Sequence, residues 1–117
     1  MTHHRDRLAE QVRGELAELV ENEIADPRVG AVTVTRIDLS RDGKNLLVLV
    51  NPLDRNASER DCLRGLESAR GFLQSELGAR LRLRRIPEMR FAIDHGPGHT
   101  ARVETLLGRL RKRAPLG

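Results

Sequence analysis

Asp94-His95-Gly96-Pro97-Gly98-His99-Thr100 places two imidazoles and a carboxylate within six residues, and those donor types hold transition metals and relay protons. The rest of the chain does not complete such a centre. His3 and His4 stand at the N-terminus, and Cys62 is the single cysteine. A catalytic site also needs a nucleophile and a base held by further partners, which no segment supplies. Gly-Pro-Gly between a strand and a short helix is first of all a turn, with Thr100 as a helix cap. No metal, no cofactor and no enzymatic activity are assigned to these residues.

The other residues able to do chemistry are cations. Between positions 80 and 90 the chain carries Arg80, Arg82, Arg84, Arg85 and Arg90 against one acid, Glu88. A guanidinium presents a fixed fork of donors that matches two phosphate oxygens, so a cluster of this kind suits a polyanion. The tail adds Arg109, Arg111, Lys112 and Arg113, whereas residues 1–30 hold four arginines against seven acids. The whole chain, 117 residues long, has a net charge of +4 and a pI near 10.5. This polarity fits nucleic acid on one face, with solvent or a basic partner on the other. The alternative is a solvated face in a chain that uses arginine freely, since Lys44 and Lys112 are its only lysines.

The elements that must carry these residues amount to one domain with a modest core. Leu8, Val12, Leu16, Leu19 and Ile24 recur at helical spacing, which predicts an amphipathic helix over about Arg5 to Ala25. Asp26-Pro27-Arg28-Val29-Gly30 stops it, and Arg28 either reaches a phosphate or pairs with the carbonyls of the helix end. In Ala31 to Leu39 the apolar phase switches near Arg36, as a bulge would require. Ser40 to Asn45 is a hairpin loop around Asp42-Gly43. Leu46 to Val50 lacks alternation and reads as a central strand covered on both sides. Ser58-Glu59-Arg60-Asp61 has the form of a capping box. Leu66, Ala69, Leu73 and Leu77 then line one helical face that is interrupted at Gly71, where a bend or a close backbone approach is expected. Ile86-Pro87 opens a strand with Met89, Phe91 and Ile93 in one phase, so Phe72 and Phe91 both read as core. A last helix from Ala101, with Val103, Leu106, Leu107 and Leu110 on one face, should dock on the domain and leave residues 108–117 as a flexible basic tail. Cys62, as the single cysteine, excludes an internal disulfide framework and reads as a small buried hydrophobe. No apolar run approaches a bilayer span and no signal peptide precedes the first helix, so a cytoplasmic protein is expected.

Ala69-Arg70-Gly71 followed by Phe72-Leu73, Ser75-Glu76-Leu77 and Leu83-Arg84-Arg85-Ile86-Pro87-Glu88-Met89-Arg90-Phe91 resembles the bacterial ribosome-binding factor A family. Asp26-Pro27-Arg28, Ser40, Asp42, Glu104 and Leu106-Leu107 fit the same pattern, from about Arg5 to Leu107. The resemblance implies an α+β fold of the type II KH kind, ordered α-β-β-α-kink-α-β, with a three-stranded sheet and helices on one face. It also implies that the Gly-x-x-Gly loop of KH domains is replaced by a helical kink, here Ala69 and Gly71. The implied function is ribosome assembly: a monomer that binds the immature 30S subunit and 16S rRNA and promotes late rRNA maturation, without a membrane or a cofactor. Charge placement puts Arg80, Arg82, Arg84, Arg85 and Arg90 on phosphate, with Arg70 and Lys112 as weaker contacts. A protein-interaction module that docks a ribosomal protein, or pairs with itself, stays open as the second reading.

Overall fold

The structure, a computed structural model, describes residues 2–54 and 56–96, with side-chain surroundings from Arg7 onward. In chain order it runs α1 (Thr2–Asn22), β1 (Val32–Leu39), β2 (Asn45–Pro52), α2 (Glu59–Ser68), α3 (Arg70–Leu81) and β3 (Glu88–Ile93). The expected last helix and tail, with His99 and Lys112, lie outside the described residues. No helix among the described residues is long and apolar enough to cross a membrane.

The sheet has the order β1-β2-β3, with β1 antiparallel to β2 and β2 parallel to β3. Residues Asn45 to Val50 of β2 are all buried, which is why this strand carries no apolar alternation. Leu46, Val48 and Val50 face the helices, whereas Leu47 and Leu49 pack with Ala92 in a separate small cluster. The β1 phase switch is a bulge: Val34 pairs with Val50 and Arg36 with Leu49, leaving Thr35 as the extra residue. The bulge returns Ile37 and Leu39 to the same core that receives Val32 and Val34. It also frees the Thr35 hydroxyl to donate to Asp94 at 2.6 Å, linking β1 to the residue that follows β3.

Across the helix-facing side lie Val12, Leu16, Leu19 and Val20 of α1, Cys62 and Leu66 of α2, and Leu73 and Leu77 of α3. Ser58 caps α2 by accepting from the Asp61 amide at 3.1 Å. The α1 helix ends at Asn22, short of the expected Ala25, and residues 23–26 peel away into the turn. There Asp26 accepts from the Arg28 amide and grips its guanidinium at 2.6 Å, and the same guanidinium donates to Ser68 at 3.1 Å. Arg28 therefore pairs with a side chain, not with the carbonyls of the helix end. The turn is thereby fixed against the end of α2, which presses Val29 onto the helix.

That contact corrects the reading of the glycines. A Cβ on Gly71 would meet nothing within 4 Å, and the helical break falls instead at Ala69, which closes α2 and opens α3 with φ −87° and ψ −1°. Ala69 supplies the bend without a left-handed residue, because its amide is shared between the carbonyls of Gly65 and Leu66. The glycine that permits a close approach is Gly65, where an added Cβ would stand 2.6 Å from Val29 Cγ2 and 3.3 Å from the Val29 amide nitrogen. Phe72 is corrected as well: it is 48% exposed, because it lies outside the face that Leu66, Leu73 and Leu77 bury. Phe91 does pack against the core.

Gly65→Ala should therefore destabilise the domain by about 1–3 kcal/mol through overpacking against a buried valine. Gly71→Ala, in open helical space, should leave stability unchanged or raise it by up to about 1 kcal/mol. Urea unfolding of the two variants checks this, and the reverse order would place the close approach at Gly71.

Candidate nucleic-acid interface

The arginine cluster occupies the end of α3 and the short return to β3. Leu77 and Gly78 are buried on α3, so the helix is held against the core up to its last turn. It ends at Arg82, the only non-glycine residue with positive φ among those described (φ 52°, ψ 45°). The Arg82 and Leu83 amides both donate to the Gly78 carbonyl, the closure that glycine normally supplies after a helix. A left-handed residue bearing a Cβ costs roughly 1–2 kcal/mol. The connector is pinned at its far end too. Ile86 lies over Gly78, where an added Cβ would come within 2.8 Å of Ile86 Cδ1, and Pro87 is buried. The Glu88 amide then donates to Lys44 O at 2.7 Å, and the Met89 amide to Gln74 Oε1 at 3.2 Å.

Between these anchors Arg82, Arg84 and Arg85 are exposed, and among the described residues no carboxylate forms an ion pair with any of them. The other cations singled out from sequence are already engaged. Arg80 stands among Glu15 and Glu18 at 3.5 and 3.4 Å and Glu23 and Glu76 at 3.8 Å each. Burial opposes its charge, but the attraction of Glu18 and Glu15 outweighs burial and raises its pKa above the ordinary arginine value. Arg90 pairs with Glu88 at 2.7 Å, and Arg70 at the break pairs with Glu67 at 3.2 Å and Glu88 at 3.6 Å. Three open guanidiniums thus share one connector, and three more are matched by acids.

Two cations escaped the sequence reading. Arg60 and Arg64 are exposed on α2, and with Arg28 and Ser68 they line an open cleft of about 420 Å³. Their spacing of four, one helical turn, was a legible signal, masked by the intervening Asp61. Arg28 contributes little free charge there, because its hydrogen bond holds the Asp26 carboxyl at a pKa of about 2, well below the usual 3.8. The folded value lies below the unfolded one, so this pairing supports the turn above the ordinary carboxylate range and is lost as the pH falls toward 2.

The Asp94-His95 segment has a structural use. Asp94 accepts from Thr35 Oγ1 and from the Gly96 amide, which keep its carboxyl below the usual range, and His95 Nε2 lies 3.8 Å from Glu59. No group of three or more His, Cys, Asp or Glu among the described residues is placed to hold a metal ion. Cys62 is buried, and desolvation pushes its thiol pKa up, away from the reactive thiolate.

An antiparallel pair, a parallel third strand reached through a broken helix, and a basic connector at its mouth define a small α+β domain of the type II KH arrangement. The family model described as Ribosome-binding factor A matches residues 4–107. The chain belongs to that family. It is 41% identical over 113 residues to the ribosome-binding factor A of Koribacter versatilis, covering 97% of this chain and 92% of that one. A crystal structure of ribosome-binding factor A from Thermus thermophilus superimposes with a TM-score of 0.67 at 34% identity, over 75% of this chain and 93% of that one. Similar too, at 35% identity and a TM-score of 0.63 over 74% of this chain and 90% of the other, are the Thermus thermophilus coordinates fitted into the cryo-electron microscopy map of a 30S complex of that protein.

The Arg80 network gives a direct expectation. Arg80→Met leaves the surrounding carboxylates facing one another, so the melting temperature should fall at low ionic strength. The deficit should shrink as salt is added. A deficit independent of salt would mean that packing of the arginine stem is what matters.

Proposed function

We propose that this protein binds the immature 30S subunit in the cytoplasm, contacts 16S rRNA as a single copy, and promotes the late maturation of that RNA without catalysing a reaction itself. The observation that carries the reading is the set Arg82, Arg84 and Arg85, exposed and unmatched on a connector pinned at both ends. Preset cations lose little freedom when they meet a phosphate backbone, and phosphate contacts fix register on RNA without demanding sequence.

The break between α2 and α3 supports the same division of labour. A KH domain clamps a single strand with its Gly-rich loop. Here the Ala69 amide is spent inside the helices and Arg70 is matched by two acids. Recognition of a splayed single strand by stacking of successive bases is poorly served, since Phe91 packs into the core and Phe72 is the one exposed aromatic among the described residues. Contacts through phosphate and shape remain, and they suit folded rRNA better than a single strand.

Each phosphate contact contributes roughly 0.7 to 0.9 to the slope of log affinity against log salt. Arg82→Ala, Arg84→Ala and Arg85→Ala combined should therefore weaken binding to 16S rRNA and lower that slope by about two. Arg80→Met should leave the slope alone. If the triple variant melts like the parent and keeps both affinity and slope, the connector is a solvated face, and the RNA-contact reading fails.

A further inference from the structure

Phe72 is an exposed aromatic on α3, next to the fully buried Leu73, and it forms one wall of a groove. The groove, about 240 Å³, lies between the segment that follows α1 and the α2–α3 break. Ile24, Ala25, Ala69 and Phe72 give it an apolar lining, with Glu23 and Asp26 beside them. A half-exposed phenylalanine in an apolar recess gains free energy when a second apolar group covers it.

The charge around the groove decides what that group belongs to. Glu23 lies in the groove and also in the network around Arg80, where Glu15, Glu18, Glu23 and Glu76 set four carboxylates against one guanidinium. Asp26 is already matched by Arg28. The excess is therefore negative, and it continues from the groove along α1. A nucleobase stacked on Phe72 would bring its phosphate into that field, whereas a lysine- or arginine-rich segment would be drawn to it. The arginine connector shows the opposite balance, so the domain offers separate surfaces to the two kinds of partner.

We propose that this groove docks a basic protein segment of the small subunit, which inserts an apolar side chain against Phe72 while its cations meet Glu23 and the carboxylates around Arg80. The proposal rests on the 30S-binding reading above and adds a second, protein-facing contact to it. Aromatic anchors of this kind dominate the energy of an interface when a partner encloses them.

The test compares full-length parent, Phe72→Ala and Phe72→Leu for binding to intact free 30S subunits and to protein-free 16S rRNA. Because Phe72 is half-exposed, both variants should fold, and melting curves verify this. The proposal expects Phe72→Ala to lose about tenfold in affinity for intact subunits, as loss of an interface anchor does, with no change on protein-free rRNA. Phe72→Leu should recover most of the loss, because an apolar contact does not need a ring. A photoreactive benzoylphenylalanine at position 72 should cross-link to a ribosomal protein on the intact subunit. Equal loss on protein-free rRNA, or a cross-link to RNA, makes the occupant a nucleobase and overturns the proposal. So does a dimer of the protein alone that Phe72→Ala dissolves, which makes the occupant a second copy. Parent and Phe72→Ala binding subunits equally well defeats the groove alone, whereas a parent that does not bind subunits defeats the 30S-binding reading together with it.

Discussion

The parallel pairing of β2 with β3 is the constraint on which the rest of the structure depends. Two strands that run the same way cannot be joined by a hairpin, so the chain must travel back along the sheet before β3 can begin. Here α2 and α3 make that journey. Leu66, Leu73 and Leu77, each fully buried, hold them against the same sheet face that α1 covers with Val12, Leu16 and Leu19. The return from α3 to β3 must be short, because Glu88 is already paired to Asn45 and its amide to Lys44. Arg82, Arg84 and Arg85 lie in that return. Their exposure follows from the topology: apolar anchors on either side, Gly78 with Ile86 and the buried Pro87, leave the residues between them nowhere to go but outward.

Electrostatics then divides the surface. Acids on α1 would repel one another if Arg80 did not stand among them, and Glu88 serves both Arg70 and Arg90. Cations committed to these networks must give up a carboxylate before they can take a phosphate, whereas those on the connector give up only water. Charge counted along the sequence could not separate the two groups. Both kinds of arginine sit within a few residues of each other, and the acids that neutralise Arg80 come chiefly from the opposite end of the chain.

Much of the fold was nevertheless legible. The phase switch near Arg36 became the bulge at Thr35, the unalternating run at Leu46 became the central strand, and Ser58 became a cap. These are local rules, written in neighbouring residues. What escaped depended on contacts distant in sequence. Gly71 drew attention because it interrupts a helical stripe, but no packing depends on it. Gly65, which looked like an ordinary helical glycine, admits Val29. Phe72 fits a core pattern by type and is exposed by geometry, because it lies off the stripe of Leu66, Ala69, Leu73 and Leu77 that packs into the core. The cluster itself was visible from sequence, but its division into matched and open arginines was not.

Arg82 offers the most direct test of the central claim, because on the proposed reading stability and RNA contact oppose each other at this position. It holds a left-handed conformation that glycine adopts without steric cost, so Arg82→Gly should keep or raise the melting temperature while removing one open cation. The decisive measurement is the salt dependence of 16S rRNA binding by this single variant. If the connector contacts phosphate, the variant will be at least as stable as the parent, will bind more weakly, and will show a slope reduced by just under one, roughly 0.7 to 0.9. A variant of equal or greater stability whose affinity and slope match the parent's would contradict the account, because the strained arginine would then serve neither the fold nor the RNA.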